Sequence, residues 1–157
     1  MDTETLNKAV ASRWLAHFWG KPCDLHVVDE LAAAHILLQY SPEQPRLGRQ
    51  ALKGFIREFR AAFPDFEFRR LGPMLADRDI VAVKWEGSGL HTGPAYADFQ
   101  IGPLAAGSRR EIVLGGHSAL RFCGGKIVEE AVWTTQRQAK ARFISGGLVV
   151  GLETASG

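Results

Sequence analysis

Cysteine is scarce in this chain, with only Cys23 and Cys123 among 157 residues. Two cysteines so far apart fit neither a metal nor a redox spacing, and they make too thin a disulfide framework for a small secreted domain. Free thiols in a reducing cytoplasm are the expectation. A dominant charge is lacking too: 19 Lys and Arg against 17 Asp and Glu leave a net +2. The basic residues are scattered among acidic ones, so no block exists to neutralise a row of phosphates, and nucleic acid is excluded as a partner. No run approaches the ~18 apolar residues that span a bilayer. The start, "MDTETLNKAV", lacks the basic and apolar regions of a signal peptide. The five histidines are isolated and show no metal-ligand spacing. "GPLAAG" and "GGLVVG" lack the Lys-Ser/Thr of a phosphate loop, and no Ser or Cys sits in a nucleophile elbow. A single soluble domain with no metal remains.

Apolar spacing organises the first half. In residues 4–19, "ETLNKAVASRWLAHFW", Leu6, Val10, Trp14 and Phe18 recur at steps of four, the stripe of a helix. "GKPC" breaks it, and Asp24 is placed to cap a second helix, "LHVVDELAAA", with Leu25, Val28 and Leu31 on one face. "HILLQYSP" is too short for a helix and predicts a strand over 35–40, ended by Pro42. From Arg49 to Phe63, Leu52, Phe55, Ile56, Phe59 and Phe63 fall at spacings of three and four and predict a third helix. Pro64 stops it, because the residue before a proline disfavours helical angles, and "DFEFRRLGPML" then alternates as a strand.

Three more strands are predicted at 79–91, 109–122 and 126–135. "CGGK" joins the last two as a tight hairpin, since Gly124 and Gly125 take positive φ without strain. "QRQAKARFI" (136–144) reads as a short closing helix. One domain over 1–145 and a tail over 146–157 follow. Helices first and a meander of long strands after them define an α+β fold. The expected form is a cone-shaped, curved antiparallel sheet with three N-terminal helices over its concave face.

Five stretches, in this order, resemble the SnoaL-like polyketide cyclase family of the nuclear-transport-factor-two-like superfamily. They are "DLHVVDEL", "QYSP", "LKGFIREFRAAFPDFEF", "IVAVKWEGSGLHTG" and "ALRFCGGKIVEEAVW", within about residues 5–140. The resemblance implies a deep pocket for a hydrophobic, polyketide-like molecule and proton-transfer chemistry with no metal or organic cofactor. It also implies an acid–base aspartate at the end of the last long strand. That position holds Thr135, or Thr134 if the match slips by one, and a threonine hydroxyl has no pKa near neutrality. Gln39-Tyr40 stand where members carry Asp-His or Gln-His before Ser-Pro. The implied activity is a cyclase-like or isomerase-like reaction, the alternative being a ligand-binding protein without turnover.

Alternation assigns faces within each strand. In 80–91, Lys84 and Glu86 mark the solvent side, so Val81, Val83, Trp85, Gly87, Gly89 and His91 turn to the cavity. His91 is a candidate polar contact at the rim, or else a loop-edge histidine bonded to backbone. In 111–122, Glu111 and Arg121 mark the outside, and Ser118 faces inward with Leu114 and Leu120. Strict parity turns His117 out; a bulge at Gly115-Gly116 would turn it in. His91 and His117 are the candidate proton shuttles near neutral pH.

In the last strand the family match puts Ile127, Glu129, Ala131, Trp133 and Thr135 on the cavity face and Glu130 on the other. Whichever glutamate is pressed into an apolar wall would have a raised pKa and serve as acid or base. Trp14, Phe18, Phe59, Trp85 and Trp133 are expected to line the pocket, with Gln39, Ser118 and Thr135 as polar contacts. Tyr40 would donate to a ligand carbonyl, as oxyanion stabilisation requires, or to nearby backbone. The outer strand faces carry Ile80, Ala82, Val128 and Val132 among charges, a surface suited to sheet-to-sheet homodimers.

Overall fold

The computed structural model describes residues 2–40, 44–98, 101–144 and 147–154, with side chains described as far as residue 134. Asp2 accepts the Thr5 amide at 2.7 Å and starts α1, Thr3–Trp14, which runs on into one π-helical turn, Leu15–Trp19. Leu6 stays half exposed; the face that packs inward carries Asn7, Ala11 and Trp14. Asp24 Oδ1 accepts the His26 amide at 3.0 Å where α2, His26–Leu31, begins. The helix ends earlier than its alanines suggest. Ala32 pairs with Ile127, and β1, Ala32–Gln39, takes up the whole Ala32–Ala34 run, tertiary pairing overriding alanine's helix propensity.

A two-residue strand β2, Arg46–Leu47, precedes α3, Arg49–Ala62, which buries Leu52, Phe55, Ile56, Phe59 and Ala62. Pro64 ends α3, and Phe66 drops onto the sheet, where Gly87 and Gly89 leave room for its ring. A Cβ at Gly87 would lie 2.4 Å from Phe66 Cζ. The long strands follow: β3, Glu67–Asp77; β4, Ile80–Leu90; β5, Glu111–Cys123; and β6, Lys126–Ile144. Gly124 and Gly125, at φ 59° and 81°, make the two-residue hairpin between β5 and β6.

Residues 136–144, expected as a helix, instead extend β6, and residues 147–154, expected as tail, form β7, Gly147–Thr154, paired antiparallel with β6. The segment alternates small or apolar residues (Ala139, Ala141, Phe143) with polar ones (Gln138, Lys140, Arg142), a period-two pattern that serves a strand. The strand order is β2-β1-β6-β5-β4-β3, antiparallel except for the parallel β1·β6 pair. The architecture is the expected α+β one. α1 lies against β3 and β4, α3 lies against β1, and one hydrophobic core joins helices and sheet. Among the described residues no helix is long and apolar enough to cross a membrane.

Candidate functional site

Strand parity holds through β4 and β5. Val81, Val83, Trp85 and His91 are buried, as are Ile112, Leu114, Ser118, Leu120 and Phe122, while Lys84, His117 and Arg121 face out. Parity then breaks in β6. Phe122 pairs with Ile127 but Arg121 pairs with Glu129, so Val128 is an extra residue, a β-bulge. Beyond it every side chain changes face. Glu130, Val132 and Thr134 turn inward, and Trp133 turns out to 60% exposure opposite His117.

The bulge delivers Glu130 into the core at 0% exposure. Trp14 Nε1 donates to its Oε1 at 2.8 Å, and Trp19 Nε1 donates to Oε1 at 3.1 Å and Oε2 at 2.9 Å. In a regular α-helix, residues five apart point about 140° away from each other. The π-helical turn over Leu15–Trp19 closes i to i+5, which brings Trp14 and Trp19 to the same side. A third indole acts through a hydroxyl: Trp85 Nε1 donates to Ser118 Oγ at 3.1 Å. An indole N–H only donates, so Ser118 accepts there and keeps its own proton for Glu130. Complete burial pushes the Glu130 carboxyl up to about 7, against hydrogen bonds from Trp14, Trp19 and Ser118 that hold it lower. Near neutral pH this carboxyl both takes and gives a proton.

Phe18 stacks on Trp14 at 4.4 Å, and Phe55, Phe59 and Phe68 continue the aromatic interior past Trp19. Tyr40 packs 6.4 Å from Trp19 and is buried; its hydroxyl makes no hydrogen bond of good geometry, though the Asp98 carboxylate stands close enough to act on it. Burial first, and the nearby Asp98 second, push that hydroxyl far above its ordinary ionisation range.

Of the residues expected at the site, Trp14, Phe18, Tyr40, Phe59, Trp85 and Ser118 share the interior. Others do not. His91 is buried, but Nδ1 meets Ser108 Oγ at 2.7 Å and Nε2 meets the Pro94 carbonyl at 2.6 Å, so both ring nitrogens tie down the loop after β4. His117 is exposed, because no bulge forms at Gly115-Gly116 to turn it inward. Gln39 lies on the exposed side of β1 and bonds Glu129, whose other oxygen meets Arg121 at 3.3 Å. Trp133 and Val132 exchange the faces expected of them, for the reason given by Val128. Thr135 pairs with Gly115 on β6, and its side chain lies outside the described residues. Trp19, Tyr96 and Asp98 are not among the site residues expected from the sequence; a second tryptophan five residues after Trp14 is the signal the sequence offers for Trp19. Among the described residues no group of three His, Cys, Asp or Glu side chains gathers to hold a metal ion.

Helices packed on a curved, unclosed sheet around a buried carboxyl make an α+β fold of the nuclear-transport-factor-two-like kind, and comparison with known proteins agrees. The chain belongs to the SnoaL-like polyketide cyclase family, whose model matches residues 9–139. Its fold is similar to that of a protein from Jannaschia sp. CCS1 assigned as a SnoaL-like polyketide cyclase, with TM-score 0.71, 19% identity, and coverage of 85% of this chain and 88% of that one. It is similar to a protein of Acidithiobacillus ferrooxidans assigned as a polyketide cyclase, with TM-score 0.63, 21% identity, and coverage of 85% and 91%. AclR of Streptomyces galilaeus, assigned as a hydroxylase, gives TM-score 0.65 at 20% identity over 85% and 77% of the two chains. No curated protein matches the chain.

Proposed function

We propose that the protein is a cyclase-like or isomerase-like enzyme that works without a cofactor on a hydrophobic small molecule held among the interior aromatic residues. The observation that carries this reading is Glu130, fully buried and gripped by two indole N–H groups, a burial that pushes its carboxyl up to about 7. Ionised Glu130 removes a proton from carbon beside a ligand carbonyl, leaving an enolate. In an isomerisation the protonated carboxyl returns that proton at another position. In a cyclisation the enolate carbon forms a bond to a second carbonyl carbon, and Glu130 hands its proton to the resulting alkoxide. The histidines take no part: Glu130 replaces His91 and His117 as the acid–base group. Free, exposed Cys23 and Cys123 support a reducing compartment such as the cytoplasm.

A binding protein without turnover is the second reading. It is favoured by the fact that indole donors already occupy both Glu130 oxygens. A thermal-shift screen of polycyclic aromatic and β-dicarbonyl compounds, followed by deuterium exchange from solvent into any stabilising hit, separates the two. Exchange that falls by about 10²-fold or more in Glu130→Gln supports the enzyme. Stabilisation without exchange supports binding alone.

A further inference from the structure

The interior holds a second polar station that the proton transfer leaves unused. Tyr40 packs 5.4 Å from Phe55 and is 6% exposed, yet its hydroxyl makes no hydrogen bond of good geometry, Asp98 being near it but not aligned to accept. A buried donor left unmade is destabilising, so native structures rarely keep one without a use. Asp98 approaches it from the loop between β4 and β5. Asp98 Oδ2 accepts Tyr96 Oη at 2.9 Å and Oδ1 accepts the Ile101 amide at 2.7 Å, which fixes the carboxylate in place. Tyr96 in turn packs against Phe59 at 6.0 Å and Phe63 at 5.6 Å, so the loop is seated on the same aromatic interior as Tyr40. Burial and the Asp98 charge both disfavour phenolate at Tyr40, which leaves it a donor at neutral pH.

We propose that the Tyr40 hydroxyl and the Asp98 carboxylate together anchor a phenolic or enolic hydroxyl of the ligand. This rests on the small-molecule reading above and deepens it by naming the group recognised. A hydroxyl accepts from Tyr40 and donates to Asp98 at once, which a ketone or an ether cannot do. Trp19 touches both stations, its N–H on Glu130 and its ring against Tyr40, so the anchored ring lies beside the acid–base carboxyl. A site built this way disfavours an analogue that lacks the hydroxyl, because the Tyr40 hydroxyl would then be buried against it without an acceptor from the ligand.

Binding of 2-naphthol and of 2-methylnaphthalene, a matched pair in size, tests this by tryptophan fluorescence. The expected result is that wild type and a His117→Ala control prefer 2-naphthol by about tenfold or more, while Tyr40→Phe and Asp98→Asn bring the two probes to parity. Equal binding in wild type, or a preference that survives in Tyr40→Phe, overturns the anchor and leaves the enzyme reading standing. Failure of both probes to bind wild type at all overturns both. A readout without ligand guards the interpretation: Tyr40→Phe should melt at or above the wild-type temperature, because it deletes an unpartnered hydroxyl. A fall of about 4 °C or more shows the hydroxyl already bonded and overturns the anchor.

Discussion

Trp19 sets its one indole N–H between the two oxygens of Glu130, 3.1 Å from Oε1 and 2.9 Å from Oε2. Shared in this way, the bond favours the ionised carboxylate, whose two oxygens are equivalent acceptors. Trp19→Phe keeps the ring and removes the donor. The Glu130 pKa is expected to rise above about 7 and the protein to lose roughly 1–3 kcal/mol, as for one lost buried hydrogen bond. Carbon-13 NMR titration of the glutamate carboxyls, with urea denaturation alongside, measures both; an unmoved midpoint would remove Trp19 from the network.

Burial of Glu130 links stability to pH with a definite sign. Its pKa is 4.5 in ordinary surroundings and about 7 in the fold, so between those values the folded state holds a proton that the unfolded chain has released. Stability therefore falls as pH rises through this window, by about 3 kcal/mol in all, and the loss is complete above the folded pKa. Glu130→Gln should flatten the profile and match or exceed wild type at pH 8. Denaturation series at pH 5, 6, 7 and 8 check it, and equal wild-type stability at pH 5 and pH 8 would falsify the raised pKa.

The two histidines expected as proton shuttles, His91 and His117, should behave in opposite ways. His91→Ala removes bonds to Ser108 and Pro94 from a fully buried position, for an expected loss of roughly 1–3 kcal/mol. His117→Ala changes an exposed residue and should stay within about 0.5 kcal/mol of wild type with turnover intact. Parallel melts and deuterium-exchange rates test the pair; lost exchange in His117→Ala would return that residue to the site.

Copies are proposed to pair through the outer face of the sheet, where Trp133 is 60% and Ile80 41% exposed. An exposed tryptophan is the kind of anchor interfaces use. Trp133→Lys is expected to weaken self-association about tenfold or more without lowering the melting temperature of the monomer. Light scattering across micromolar concentrations reads this, and a wild type that is monomeric throughout would end the idea.

Most of the architecture was legible because it depends on period. Leu52, Phe55, Ile56 and Phe59 at helical steps, and Val81, Val83 and Trp85 at alternate ones, are read from spacing alone, and the structure buries all of them. The candidate centre was harder to read because it stands where period fails. Val128 adds one residue to a strand, and the turn at Leu15–Trp19 widens a helix by one. Counting in twos from Ile127 therefore puts Glu129 on the inner face and Glu130 on the outer, leaving open which one is buried, and counting in fours from Trp14 leads to Phe18 and not to Trp19. Ala32–Ala34 failed for another reason: their partner is Ile127, which lies far along the chain and out of reach of local propensity.

Phe66, seated over Gly87 and Gly89, sets how much room the inner wall of the sheet leaves. The floor beneath its ring is bare main chain, since neither glycine carries a Cβ. Shortening that one side chain, as in Phe66→Ala, would leave a void floored by main chain that has no side chain of its own to collapse into it, so the substitution is expected to cost roughly 3–5 kcal/mol, at the upper end for a core aromatic.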